Sequence, residues 1–281
     1  MSQRVQLLRD FNLQLLVTSR RRVVQLVSGM VLSLLIVAGL HWLFSKSSPK
    51  RLSFPTRMPG GAPLHWVLKE IVLHPILPRH KITTTDFLEA LRFGVAAWNT
   101  ALKGCQAPRL QLGAPVDNLR KVRQDATSMV VLREGFWCGD EDNKLEHCYD
   151  PTVEAITSIY PEHNPGQPEN GAVREADIEI NAVNYDWSPD SQRANARNLR
   201  ALITHELGHV LGLDHACNTT EAVVNKQVQN PTAPVCDSAN TSGAIMYPHV
   251  TQNPTYPTPV PGGSEAELLC AIYAIWGART K

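Results

Sequence analysis

Three of the chain's ten histidines fall within one short stretch, Thr204–Ala216, T-H-E-L-G-H-V-L-G-L-D-H-A. On an α-helix, His205 and His209 stand about 40° apart on one face, close enough for two imidazoles to share one metal ion. Glu206 sits about 100° round from His205, placed to hydrogen-bond a metal-bound water rather than to bind the metal itself. Gly212 can take a left-handed conformation and end the helix, so that His215 returns as a third ligand from another direction. Three neutral imidazoles leave one position of a tetrahedral Zn²⁺ open for water, the arrangement of a catalytic site. Zinc lowers the pKa of its water to about 7, and Glu206 is then placed to take the proton as water attacks a carbonyl. An amphipathic core helix with incidental histidines is the competing reading. It leaves the spacing beyond Gly212 unexplained.

These residues need elements to hold them. Apolar periodicity predicts a first long helix over Asp86–Leu102, capped by Thr85 or Asp86, and a second over Ala194–Leu211 that carries the histidines. Strands are expected at Leu64–Leu73, Arg109–Leu112, Ser128–Leu132, Ala155–Tyr160 and Ala176–Asn181. A Pro-rich irregular segment follows the second helix. A last helix opens at Ser264, where S-E-A-E reads as a capping box with Glu267.

With 281 residues, 43% hydrophobic and 19% charged, the chain can form one sizeable domain plus a tail. The net charge of +1, without a basic patch interleaved with aromatics, argues against a nucleic-acid partner. The run Val23–Phe44 contains no formally charged residue and is long enough to cross a hydrocarbon core about 30 Å thick. Arg20–Arg22 precede it and Trp42 lies near its far end, which favours an uncleaved signal anchor with a cytoplasmic N-terminus. A cleaved signal peptide is the rival and would give a secreted protein. The domain plan is therefore a cytoplasmic segment 1–22, an anchor 23–44, a Ser/Pro/Gly linker 45–63 and a folded domain 64–281 on the extracytoplasmic side, periplasmic or extracellular. All six cysteines follow the anchor, as expected of disulfides in an exported domain. Connectivity does not follow from sequence. Proximity favours Cys138–Cys148 and Cys217–Cys236, which would leave Cys105–Cys270; buried free thiols are the alternative.

The pattern H-E-x-x-H-x-x-G-x-x-H resembles the metzincin clan of zinc endopeptidases. Downstream, Gly243–Pro248, G-A-I-M-Y-P, resembles that clan's Met-turn, which implies a Met246 side chain beneath the metal. A-I-M-Y-P followed by His249-Val250, together with the closing helix S-E-A-E-L-L-C-A-I-Y-A-I-W-G, is most similar to the matrixins. The resemblance implies an α+β metzincin catalytic domain: a mixed twisted sheet, a long first helix, an active-site helix and a C-terminal helix. It implies zinc held by His205, His209 and His215, with Glu206 as the catalytic base. It also implies an edge strand at Ala155, Ile156, Thr157 and Ser158 that pairs with extended substrate, and a pocket wall at Pro248, His249 and Val250. Ala216 stands where matrixins usually carry Ser, and no Cys precedes Cys105 to block the zinc. The position two after Met246 is Pro248, so the Tyr ligand of astacins is absent. A second, structural Zn²⁺ near His147 and His163, or Ca²⁺ near Asp140, Glu141 and Asp142, has no specific motif behind it.

The expected function is a zinc-dependent endopeptidase acting on protein or peptide substrates and tethered to a membrane through residues 23–44. The alternative from another class is a binding or scaffold protein that keeps the metzincin fold without catalysis. Substrate preference, activation route and oligomeric state do not follow from the sequence.

Overall fold

The first strand lies where composition alone suggests a linker. The protein is described by a computed structural model over residues 54–117, 121–139, 148–167, 169–190, 193, 195–224, 230–236, 243–248 and 259–276. In chain order the strands are β1 Phe54–Pro55, β2 His65–Trp66, β3 Glu70–Ile76, β4 Arg109–Leu112, β5 Met129–Arg133, β6 Ala155–Pro161, β7 Ala172–Asn181, β8 Trp187–Ser188, β9 Arg197–Asn198 and β10 Leu213–Asp214. The helices are α1 Thr84–Ala101, α2 Leu199–Val210, α3 Thr220–Val224 and α4 Gly263–Trp276. The anchor expected at 23–44 lies outside the described residues. Among the described residues no helix is long and apolar enough to cross a membrane.

The main sheet is mixed and mostly parallel. β4, β3, β5 and β7 lie side by side and parallel, and β6 pairs antiparallel with β7. Parallel neighbours need crossovers, and α1 supplies the one between β3 and β4. The strand β7 alternates in the period of a pleat. Ala176, Ile178 and Ile180 join the apolar core with Phe87, Leu91 and Trp98 of α1 and Leu202 and Leu207 of α2. Glu175, Asp177 and Glu179 alternate with them and are buried too. Buried carboxylates require donors. Glu175 accepts from the Asp125 and Ala126 N–H groups, Asp177 from the Met129 N–H at 2.8 Å, and Glu179 from Arg133 Nε at 2.6 Å and the Tyr149 hydroxyl at 3.0 Å. The polar row thus fastens the loops before β5 and β6 onto the sheet.

Several boundaries differ from the sequence expectation. The expected strand 64–73 breaks at Val67–Lys69 into β2 and β3, because β2 pairs with β7 while β3 pairs with β4 and β5. Helix α1 starts earlier, since Thr83 is the residue held extended and its hydroxyl accepts the Asp86 N–H at 3.1 Å. Helix α2 starts later than Ala194. Arg197–Asn198 pairs with Trp187–Ser188, and the Asn198 side chain then caps the helix by accepting the Ala201 N–H at 3.0 Å. The folded domain also begins before residue 64. Phe54–Pro55 pairs antiparallel with Leu213–Asp214, and Arg57 bridges Pro63 in a tight hairpin that turns at Gly60 and Gly61. The three disulfides join Cys105 to Cys270, Cys138 to Cys148 and Cys217 to Cys236.

Candidate metal centre

Helix α2 presents His205 and His209 on one face, and the turn after it returns His215 to them. The ligand nitrogens of the three rings lie within 4.8 Å of one another. Each ring on the helix is aimed by a backbone carbonyl. His205 Nδ1 donates to Ile245 O at 2.7 Å, and His209 Nδ1 donates to Leu213 O at 2.8 Å. A carbonyl oxygen only accepts, so each Nδ1 carries the proton and each neutral ring presents an Nε2 lone pair. Those two Nε2 atoms are 3.1 Å apart. Two nitrogens at that distance need a positive charge between them, a proton or a metal ion. Three imidazole nitrogens so arranged suit Zn²⁺, with second partners fixing the rings as zinc ligands require. Among the described residues this is the one cluster of three or more groups that could hold a metal ion.

Two glycines let the chain reach this geometry. Gly212 has φ +102°, and a Cβ there would stand 2.7 Å from the Leu64 carbonyl oxygen. Gly208 lies against Met246, where a Cβ would stand 2.3 Å from its sulfur. Met246 is fully buried, and its backbone closes the other side of the site: the Ala216 N–H donates to Met246 O at 2.8 Å. Ala216 is itself fully buried, so the departure from Ser at this position falls in the packed interior. The turn around Met246 is held in turn by Glu265 of α4, which accepts the Met246 N–H at 3.0 Å and also the Gly262 N–H. The expected capping box of Ser264 with Glu267 therefore yields to Glu265, whose buried carboxyl is pushed up by desolvation and held back by the backbone N–H groups of Met246, Gly262 and Ile245.

Glu206 is 5% exposed and is aimed by the edge strand: Thr157 Oγ1 donates to its Oε2 at 2.6 Å. Burial raises its carboxyl above the usual carboxylate range, opposed by His209 and by the Thr157 hydroxyl. A cleft of about 1350 Å³ opens beside it. Ala155, Ile156, Thr157 and Pro248 line this cleft, and Ser158 does not. His249 and Val250 lie outside the described residues, as do His147, Asp140, Glu141 and Asp142. His163 is exposed. Asp214 turns to the backbone, accepting the His215 N–H at 2.7 Å rather than bonding a ligand ring. Asn218 spends its amide on Asn230 O and Ala233 O, both at 2.9 Å, which closes the loop bridged by Cys217–Cys236.

Sequence reasoning missed the residues that support the site from a distance: Thr56, Trp66, Glu265 and Tyr273. Only the P-G-G of Pro59–Gly61 signalled that the first of these lies beside a tight turn and not in a structureless linker.

Three imidazoles converging from a helix and the turn beyond it, a buried Glu beside the first, and a Met packed on the helix backbone match the arrangement expected of a metzincin site. The model of the matrixin family matches residues 162–240, which include β7, α2 and all three histidines. Over that segment the chain is similar to the matrixins. Matrixins are zinc-dependent metalloproteases, generally extracellular or secreted. No curated protein matches the chain.

Proposed function

We propose that this protein is a zinc-dependent endopeptidase that hydrolyses extended peptide segments. The observation that carries the reading is the convergence of the His205, His209 and His215 ring nitrogens within 4.8 Å of one another. His205, His209 and His215 are the residues that would hold the ion. Zinc, when bound, lowers the pKa of a coordinated water to about 7 and polarises a carbonyl. Glu206 acts as general base through Oε1, the oxygen not engaged by Thr157, and passes the proton to the leaving amine.

Strand β6 supplies the binding edge. Among the described residues only β7 pairs with it, which leaves its other edge for the backbone of a peptide. A peptide running antiparallel to β6 places its N-terminal half toward Pro161 and its C-terminal half toward Ala155. Pro248 stands in the pocket wall expected also to include His249 and Val250. The run Val23–Phe44 is proposed to anchor the enzyme, with the catalytic domain outside the cytoplasm.

The test is zinc content of the purified ectodomain and cleavage of a peptide library with and without chelator. Chelator-sensitive cleavage that disappears in Glu206→Ala supports the proposal. Unchanged cleavage in Glu206→Ala rules out the mechanism, and zinc binding without cleavage of any peptide favours a scaffold role. Recovery of the intact chain from washed membranes tests the anchor; a soluble, shortened chain overturns it.

A further inference from the structure

Helix α2 ends where the third ligand must begin, and its final carbonyls have no intrahelical partners. They are satisfied from β2, from the hairpin before it and from α4. The Trp66 indole N–H donates to Val210 O at 2.6 Å. The Tyr273 hydroxyl donates to Leu211 O at 3.1 Å. The Thr56 N–H donates to Gly212 O at 2.9 Å. Tyr273 and Trp66 are also joined, since the Trp66 backbone N–H donates to the Tyr273 hydroxyl oxygen at 3.3 Å. Both side chains belong to the buried core. The next carbonyl, Leu213 O, is the one that aims His209, and two residues further on stands His215.

We propose that Trp66 and Tyr273 are positioning residues for the metal centre. They fix the carbonyls of Val210 and Leu211, and so the point and direction in which the chain leaves the helix at Gly212. That exit sets the Leu213 carbonyl against His209 and the approach of His215. Neither residue touches the histidine rings; both act through the backbone. The helix carrying Tyr273 is held in place by Cys105–Cys270 at one side and by Glu265 on Met246 at its start. The same helix therefore braces the turn under the site and the turn that delivers its third ligand.

This inference rests on the reading of the three histidines as a zinc site. It is tested on the ectodomain with Tyr273→Phe, which keeps the ring and deletes the donor, and with Trp66→Phe. Asn99→Ala serves as the structural control: it deletes two hydrogen bonds to the Leu110 backbone, at 2.9 and 3.0 Å, that tie α1 to β4 and do not involve the carbonyls at the helix end. Zinc affinity is measured by competition with a chromophoric chelator, and ligand geometry by the visible spectrum of the Co²⁺ form. The expected result is zinc binding weaker by about tenfold in Tyr273→Phe and Trp66→Phe, the lower end of what losing outer support costs a metal site, with an altered Co²⁺ spectrum. Asn99→Ala is expected to lose stability while keeping wild-type affinity and spectrum. Wild-type affinity in Tyr273→Phe, or equal weakening in Asn99→Ala for the same loss of stability, overturns the inference and leaves the zinc reading intact. A wild-type ectodomain that binds no zinc overturns both.

Discussion

The Thr157 hydroxyl donates a 2.6 Å hydrogen bond to Glu206 Oε2, so the strand offered to substrate also orients the proposed base. Strand pairing with a peptide uses the backbone of β6 and leaves this side chain to Glu206. Thr157→Val should therefore lower kcat and leave KM nearly unchanged. A hydrogen bond to a charged group contributes about 1.5–3 kcal/mol, which bounds the loss at roughly 10- to 160-fold. Thr157→Ser should restore most of it. Steady-state kinetics on a peptide substrate checks this, and a loss confined to KM would refute it.

Gly212→Ala should damage the metal site more than the fold. The position has φ +102°, and the new Cβ would meet a backbone oxygen, Leu64 O, at 2.7 Å. Strain of this kind costs about 1–3 kcal/mol. The turn can relieve it only by moving the segment that carries His215. Urea unfolding and zinc titration, taken together, should show a modest fall in stability with a large fall in zinc affinity.

A protein beginning at residue 51 should be more stable than one beginning at residue 64. The shorter chain loses β1 and the Thr56 N–H on Gly212 O, along with the Leu64 N–H bond to Thr56 O at 2.9 Å. With net contributions near 1 kcal/mol per hydrogen bond, the difference should be about 1–3 kcal/mol. Comparing the two by urea denaturation decides the matter, and equal midpoints would return residues 54–63 to the linker.

Asp177 gives a pH prediction. Burial, reinforced by the neighbouring Glu175 and Asp125 charges, pushes its carboxyl up to about 7, against the Met129 N–H and Tyr160 hydroxyl that hold it down. Glu179 flanks it on the same face of β7. The folded state then keeps a proton that the unfolded chain, with a carboxyl near 3.8, has lost. Stability from this group is full below about pH 4 and is lost as pH rises through 7. Asp177→Asn should remove that loss, so its stability relative to wild type should increase between acid and neutral pH. A difference independent of pH would refute the assignment.

The sequence was most legible where function constrains spacing. His205, Glu206, His209, Gly212 and His215 lie in one segment, so their geometry follows from helix pitch and one glycine. The strand at Arg109–Leu112 matches its expected bounds in full, because R-L-Q-L alternates polar and apolar residues in the period of a strand. What could not be read was support across long separations. Nothing local in Trp66 or Tyr273 says that they donate to carbonyls of α2, since both look like ordinary core aromatics. Glu265 misled in the opposite way. It sits inside an S-E-A-E pattern whose local reading selects Ser264 and Glu267, while tertiary packing turns Glu265 toward Met246.

The end of α2 is held by Trp66 near the start of the folded domain and by Tyr273 within the last ten residues of the chain. During synthesis, then, the donor for Leu211 is made after all three histidines. A nascent chain that already displays all three histidines still lacks one of the groups that place them. On the zinc reading, full metal affinity should therefore arrive only once the closing helix has docked, so the site stays weak while the chain is still being made.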